Sequence, residues 1–256
     1  MGGTFSAFPV TKPGVVMVTA FLVRGMLTGV LAGFLAFGFA KVFGEPEVDR
    51  AIAFGEQMDR AKGEAPEPEL VSRRIQSTFG LLTAITVYGA AIGGLFALAN
   101  AVAYGRVNSL SPRAVALLLA GGGFLAIVLV PDLKYPPNPP SIGQPGTIGF
   151  RTETYFVMIL LSLATLAFAV WLRRGILARF GGWDATLIAG AAFVAIVSVV
   201  ILLLPDINEA PETFSAVVLW RFRLASIGTQ MILWTTLGLL FGALTERSLS
   251  KGQGCD

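Results

Sequence analysis

The sequence predicts an all-α, polytopic integral membrane protein with six transmembrane helices arranged as three helical hairpins. Hydrophobic residues make up 54% of the 256-residue chain and charged residues only 14%, whereas soluble proteins usually carry about 25% charged residues. The 30 glycines suit helices that pack closely inside a membrane. Together these observations predict a single transmembrane domain over residues 1–256.

Six apolar runs are long enough to be transmembrane helices, since a crossing takes about 20 mostly apolar residues. They cover about residues 22–43, 78–104, 114–130, 154–172, 185–204 and 224–244. The first run is too long for a removable signal peptide and lacks a small-residue cleavage site. An even number of crossings would place both termini on the same side of the membrane.

Glycines recur every four residues along three of these helices. The repeats are Gly25, Gly29 and Gly33, then Gly89 and Gly93, then Gly238 and Gly242. A helix with a row of glycines can contact its neighbour backbone to backbone. We therefore expect a tightly packed bundle.

The connection over residues 41–77 is the longest and carries many charges. Within it, residues 48–62 have the pattern of a short amphipathic helix, with Ile52, Phe54 and Met58 on the membrane surface. A solvated charged loop is the alternative interpretation. Lysine and arginine are denser in the shorter connections on the side of the termini, whereas acidic residues gather on the other side, which predicts cytoplasmic N- and C-termini.

Residues 130–155, called here the proline segment, connect the third and fourth predicted helices and hold six of the fourteen prolines. Proline fixes φ and biases the preceding residue towards extended geometry, so the segment is expected to be stiff and non-helical. It also concentrates polar side chains in an apolar chain: Asp132, Lys134, Tyr135, Asn138, Arg151 and Glu153.

Acidic and basic residues alternate at the ends of the predicted helices. Odd-numbered helices end at an acid beside a proline, and even-numbered helices begin at arginine. The acids are Glu45, Asp132 and Asp206, and the arginines are Arg73, Arg74, Arg151, Arg221 and Arg223. Arginine is disfavoured at a helix N-terminus unless a carboxylate neutralises it, so the acids are the expected partners.

Two interpretations of these charges stay open. In the first, arginine–carboxylate pairs hold the outer ends of the helices together. In the second, Glu45, Asp132, Tyr135 and Asn138 form an entry site for a divalent cation, because hard oxygen ligands suit such an ion. Lys134, Arg151 and Asp206 would then have structural or pathway roles beside it.

The sixth predicted helix carries two further polar side chains of interest. Arg223 and Gln230 are seven residues apart and therefore share a helix face. An amide inside an apolar helix needs a partner in the bundle, and hydrogen bonding between helices or a place in a transport pathway would each explain Gln230.

Missing residue types exclude several functions. The chain has no histidine and one cysteine, Cys255, so histidine-based catalysis, the usual zinc sites and disulfides within the chain are excluded. Cys255 is interpreted as an inert tail thiol. No GxxxxGK[ST] loop occurs, which makes ATP hydrolysis unexpected, and a net charge of +3 is too small to indicate nucleic acid. We predict no enzymatic activity and no cofactor.

Three stretches resemble one known family. PDLKYPPNPPSIGQPGTIGFRT (residues 131–152), WDATLIAGAAF (residues 183–193) and LWRFRLASIGTQMILWTTLGLLFGALTER (residues 219–247), together with GEP at residues 44–46, are similar to the CbtA family of predicted cobalt transporter membrane subunits. The matching positions with polar side chains are Glu45, Lys134, Tyr135, Asn138, Arg151, Arg223 and Gln230.

The resemblance implies a multi-pass subunit of the bacterial inner membrane. It implies import of cobalt for cobalamin synthesis, beside a small CbtB-type membrane partner that bears histidines, with another divalent cation as the alternative substrate. The alternative is a structural or assembly subunit of a larger membrane complex, in which the proline segment docks another subunit.

Overall fold

The computed structural model describes residues 13–63, 70–104, 110–143 and 145–253, and the regular structure of these residues is entirely helical. The helices are α1 (Pro13–Phe39), α2 (Glu45–Lys62), α3 (Arg73–Ile75), α4 (Leu81–Ala103), α5 (Pro112–Phe124), α6 (Val130–Lys134), α7 (Ile148–Leu203), α8 (Ala216–Thr236) and α9 (Gly242–Gln253). Cys255 lies outside the described residues.

Single π-helical turns join several neighbouring helices into continuous rods. These turns are Ala40–Gly44 between α1 and α2, Gln76–Gly80 between α3 and α4, Leu125–Leu129 between α5 and α6, and Leu237–Phe241 between α8 and α9. Within the described residues, five helical rods are long and apolar enough to cross a membrane: Thr19–Lys62, Arg73–Ala103, Pro112–Lys134, Ile148–Leu203 and Ala216–Ser248. The all-α, membrane-type fold is thereby confirmed.

Helix α7 contains both the fourth and the fifth predicted helices. Gly181 interrupts it with non-helical dihedral angles, φ 77° and ψ 173°, and divides it into a first arm (residues 148–180) and a second arm (residues 182–203). Met158 and Val197, one from each arm, belong to the same apolar cluster. In an unbroken helix these two residues would be about 58 Å apart, so α7 bends sharply at Gly181.

The contact between α1 and α4 is the most extensive in the bundle. A Cβ on Gly25 would overlap the carbonyl oxygen of Gly93, and a Cβ on Gly29 would overlap that of Gly89. Positions that rise along α1 thus meet positions that fall along α4, so the two helices are antiparallel. The predicted backbone-to-backbone packing is confirmed for this pair.

The main apolar core lies where α1, α4, α5 and α8 meet. The Phe96 ring packs edge-on against Trp234 and Phe241, with ring centroids 6.5 and 5.4 Å apart. Leu233 and Leu237 of the same core are fully buried. Large aromatic groups therefore fill the space that the glycine contacts leave between these helices.

The three connections at the outer ends of the predicted helices meet. Ala51 of α2, Ile142 of the proline segment and Phe214 of the α7–α8 connection form one buried cluster. Phe54 packs edge-on against Phe214, with ring centroids 5.1 Å apart. Residues 48–62 are helical, as the first of the two interpretations has it and unlike the alternative of a solvated loop. They continue the first rod, and Phe54 faces this cluster.

The prediction of a wholly non-helical proline segment was wrong at both ends. Residues 130–134 form α6 and residues from 148 onwards belong to α7, so among the described residues of this segment only 135–143 and 145–147 lie outside the α-helices. Pro131 lies inside the continuous rod and has no N–H to donate, and the π-helical turn directly before it changes the hydrogen-bond pattern at that point. The run Pro136–Pro140 does lie outside the helices.

Candidate functional site

A cavity of about 690 Å³ lies between α4, α6, α8, the first arm of α7 and the α1–α2 junction. Most of its lining is apolar. Its polar lining side chains are Glu45, Tyr88, Asp132, Tyr155, Ser226, Thr229 and Gln230. Oxygen atoms of several kinds thus face one space inside an apolar helical bundle.

Asp132 is the carboxylate of this cavity that lacks a basic partner within the described residues. The Tyr155 hydroxyl donates a long hydrogen bond to its Oδ1, at 3.4 Å. A carboxylate that no base neutralises can serve as an oxygen ligand for a cation. The predicted pairing of Asp132 with an arginine is wrong, because Arg151 binds Glu209 instead.

Gln230 and Tyr88 form a second polar pair in the cavity. Gln230 Nε2 donates to the Tyr88 hydroxyl oxygen at 3.4 Å. The Gln230 Oε1 atom is buried and has no hydrogen-bond partner in the described part of the chain. A buried carbonyl oxygen without a donor is uncommon in folded proteins and calls for a ligand or water. The bond to Tyr88 agrees with the interpretation that Gln230 links two helices. Its position in the cavity lining agrees with the other interpretation, a place in a transport pathway.

Glu45 lies in the same lining but its charge is neutralised. Arg73 Nη2 binds Glu45 Oε2, and Arg73 Nε donates to Asp49 Oδ1 at 2.9 Å. This is the arginine–carboxylate pair that the ends of the first two predicted helices indicated. It joins the beginning of the second rod to the point where α2 begins within the first rod.

The middle of the proline segment is bound by α8 and by the α7–α8 connection. Arg223 donates from Nη2 to Asn138 Oδ1 at 3.0 Å and from Nε to the Pro137 carbonyl at 3.3 Å. The Tyr135 hydroxyl donates to the Pro205 carbonyl at 2.9 Å. Burial raises the pKa of the Tyr135 phenol, so the hydroxyl keeps the proton it donates at neutral pH.

Two ion pairs fix the ends of residues 135–147. Lys134 pairs with Asp206, and Arg151 pairs with Glu209. The prediction that Asp206 pairs with Arg221 or Arg223 is wrong. Asp206 pairs with Lys134, and Arg223 instead binds the proline segment. The acids of the α7–α8 connection therefore bind the bases at either end of the proline segment.

The four predicted cation ligands are only partly brought together. Glu45 and Asp132 line the cavity, whereas Tyr135 and Asn138 are bound to Pro205 and Arg223. Within the described residues, no group of three or more His, Cys, Asp or Glu side chains is placed to hold a metal ion. The ligand set therefore stays a prediction.

Sequence reasoning missed Tyr88, Tyr155 and Glu209. Tyr88 lies in the middle of an apolar helix, and the rarity of tyrosine in this chain, four residues in all, was an available signal. Tyr155 follows Arg151 by four residues and so lies one turn further along α7. Glu209 gave no local signal, because its role depends on how the α7–α8 connection folds.

Comparison with known proteins gives one result. Searches of curated proteins and of solved structures find no match. A family model described as "Probable cobalt transporter subunit (CbtA)" matches residues 18–246, which is most of the chain and includes every cavity residue named above. A transporter subunit is not an enzyme class. The chain belongs to the CbtA family of probable cobalt transporter subunits.

Proposed function

We propose that this protein is the membrane-embedded subunit through which a divalent cation, with cobalt as the family's substrate, crosses the bacterial inner membrane. The observation that carries the proposal is the Asp132 carboxylate, which has no basic partner among the described residues and faces a cavity of about 690 Å³ between the helices. An acidic side chain facing a space inside a membrane bundle is a usual mark of an ion pathway. The protein itself is proposed to have no enzymatic activity.

The chemistry of the cavity suits a cation that keeps part of its water shell. Asp132 supplies charge, while Tyr88, Tyr155 and Gln230 supply neutral oxygens. Cobalt prefers imidazole ligands, and the chain contains no histidine. We therefore propose passage rather than tight capture here, with capture assigned to a small histidine-bearing partner of the CbtB type. In this proposal Glu45 lies at the cavity's edge, and Tyr135, Asn138, Lys134, Arg151, Asp206 and Arg223 hold the proline segment beside it.

The bend of α7 supports six crossings in three hairpins. The first arm would be about 50 Å long and the second about 33 Å, so each is long enough for the roughly 30 Å apolar layer. Arg173 Nε donates to Thr186 Oγ1 at 2.8 Å across the bend, as expected if the two arms run back along each other. Six crossings would return the chain to the cytoplasmic side, where we place both termini.

Radiolabelled cobalt exchange in proteoliposomes tests the proposal without assuming an energy source. The purified chain, alone and with a small histidine-bearing membrane partner, is reconstituted into vesicles preloaded with unlabelled cobalt. We expect exchange above that of empty vesicles, and Asp132→Asn should reduce it about tenfold or more, because a charge-assisted contact to the ion is lost. The matched control is Glu153→Gln, an exposed acid outside the cavity, which should leave exchange unchanged.

Two results would contradict the proposal. One is normal exchange by Asp132→Asn protein that elutes as wild type in size-exclusion chromatography. The other is an absence of exchange by wild-type protein that nevertheless purifies in a stoichiometric complex, which would favour the structural or assembly role.

A further inference from the structure

A second cavity, of about 390 Å³, lies where the first rod passes from α1 to α2 against the first turns of α8. It shares only Ala225 with the lining of the first cavity. Its wall consists of Phe39, Val42, Phe43, Pro46, Glu47, Arg221, Leu224 and Ala225. It therefore combines an apolar surface with one acid and one base.

The acid in this wall has an unsatisfied oxygen. Glu47 is only 5% exposed. Its Oε1 binds Arg50, while its Oε2 is buried without a hydrogen-bond partner among the described residues. Leaving a buried carboxylate oxygen without a donor is unfavourable, so a ligand that brings an N–H donor would be stabilised here.

The base in this wall, Arg221, is exposed rather than buried. It makes no ion pair with the described residues. Its guanidinium is suited to bind a phosphate group. A ligand that satisfies both residues must carry an anionic phosphate and a cationic donor a short distance apart.

The remaining wall and its position indicate a lipid. Phe43 is 56% exposed, and Val42 and Leu224 are exposed beside it. The chain changes from apolar to charged residues at Glu45, and Trp220 is 62% exposed next to Arg221. Exposed tryptophan at such a transition marks the boundary between the apolar layer and the headgroups.

We propose that this cavity binds a phospholipid with a primary-amine headgroup, of the phosphatidylethanolamine class. The ammonium donates to Glu47 Oε2, the phosphate binds Arg221, and one acyl chain lies against Phe39, Phe43 and Leu224. Phosphatidylcholine has no N–H to donate, and phosphatidylglycerol offers only neutral hydroxyl donors, so neither supplies the charged donor that a buried carboxylate binds most strongly.

Native mass spectrometry of the full-length, delipidated protein in detergent tests this site. Dioleoyl phosphatidylethanolamine, phosphatidylcholine and phosphatidylglycerol are titrated separately. We expect the first to bind about tenfold more tightly than the second, since a charge-assisted hydrogen bond is lost on N-methylation. Glu47→Gln should remove this preference, and Arg221→Ala should weaken binding of both lipids. Arg174→Ala, an exposed arginine near the exposed Trp171, is the matched control and should change neither.

Equal binding of the three lipids by wild-type protein would overturn the proposal. This comparison uses only the wild-type protein, so it does not depend on whether a variant folds. Retention of the preference by folded Glu47→Gln protein would also overturn it. Tighter binding of phosphatidylglycerol would show a phosphate site only and likewise reject it. Because the readout is lipid binding, its result is independent of cobalt exchange.

Discussion

Gly143, in the middle of the proline segment, has a backbone φ of 124°, which residues with a side chain rarely adopt. A Cβ there would overlap the Arg151 guanidinium and lie 2.9 Å from Glu209 Oε2. Both the backbone conformation at residue 143 and the neighbouring ion pair therefore require glycine at this position. Gly143 therefore lies against the Arg151–Glu209 ion pair, which joins the proline segment to the α7–α8 connection.

We predict that Gly143→Ala lowers the free energy of unfolding by about 1–3 kcal/mol, because it adds backbone strain and displaces the Arg151–Glu209 pair. The melting temperature of the purified protein in detergent measures the effect. Gly146→Ala, three residues further on with open space around its position, is the control and should melt as wild type. Equal melting temperatures for the two variants would contradict the prediction.

Residue pairs were predictable from sequence only where the chain geometry left little choice. Arg73 meets Glu45 because the first and second apolar runs are antiparallel, which places the end of the first beside the beginning of the second. The partners of Arg151, Asp206 and Arg223 depended on the path of residues 135–147 and 204–215, which contain no periodic pattern. There Arg151 binds Glu209, Asp206 binds Lys134, and Arg223 binds the neutral Pro137 carbonyl and Asn138 side chain.

Among the elements, α1 and α4 have the closest packing. Gly29 lies where a Cβ would overlap the Gly89 carbonyl, so the neighbouring atom is backbone and has no other rotamer to adopt. Gly38 of the same helix has nothing within 4 Å of the corresponding position. The two glycines therefore have different roles despite similar surroundings in the sequence.

We predict that Gly29→Ala destabilises the protein by about 1–3 kcal/mol, the usual range for overpacking. Gly38→Ala should be neutral or slightly stabilising, because alanine is the better helix former. Thermal unfolding in detergent, followed by the loss of the monodisperse size-exclusion peak, distinguishes them. A Gly29→Ala protein as stable as wild type would show that the two helices can separate at this point.

The positions of the apolar helices were well predicted, but the joining of neighbouring helices into continuous rods was not. Apolar runs and glycine spacing located the crossings, since both are local properties of the sequence. The π-helical turns at residues 40–44 and 125–129 connect each apolar run to the charged helix after it. Their residues share no composition from which the turns could have been predicted. Both contribute residues to the large cavity, and such turns often occur at functional sites.

For the whole molecule, the proposed path of six crossings makes a testable statement about sidedness. Single cysteines are introduced in a Cys255→Ser background at four exposed positions: Ser141, Gly182, Glu212 and Ser248. We expect a membrane-impermeant maleimide applied to spheroplasts to label the cysteines at 141 and 212, and to reach those at 182 and 248 only after lysis. Labelling of residue 182 from outside together with residues 141 and 212 would contradict six crossings, whereas labelling of only 182 and 248 from outside would contradict the proposed orientation.

The convergence of the outer connections was predicted from their charges, but an apolar cluster completes it. Ala51, Ile142 and Phe214 come from three segments distant in the sequence, and each is an ordinary apolar residue in a polar stretch. Only the folded chain shows that they meet. The cavity behind them was equally inaccessible to sequence reasoning, because its polar residues come from five elements.

The glycine contact between α1 and α4 also has a mechanical consequence. Two helices that touch backbone to backbone cannot slide past each other without collision, so they must move as one rigid body. If the cavity opens alternately to the two sides of the membrane, α1 and α4 form the stationary frame. Movement would then fall to the two arms of α7 together, because a shared apolar cluster and the Arg173–Thr186 hydrogen bond hold one arm against the other.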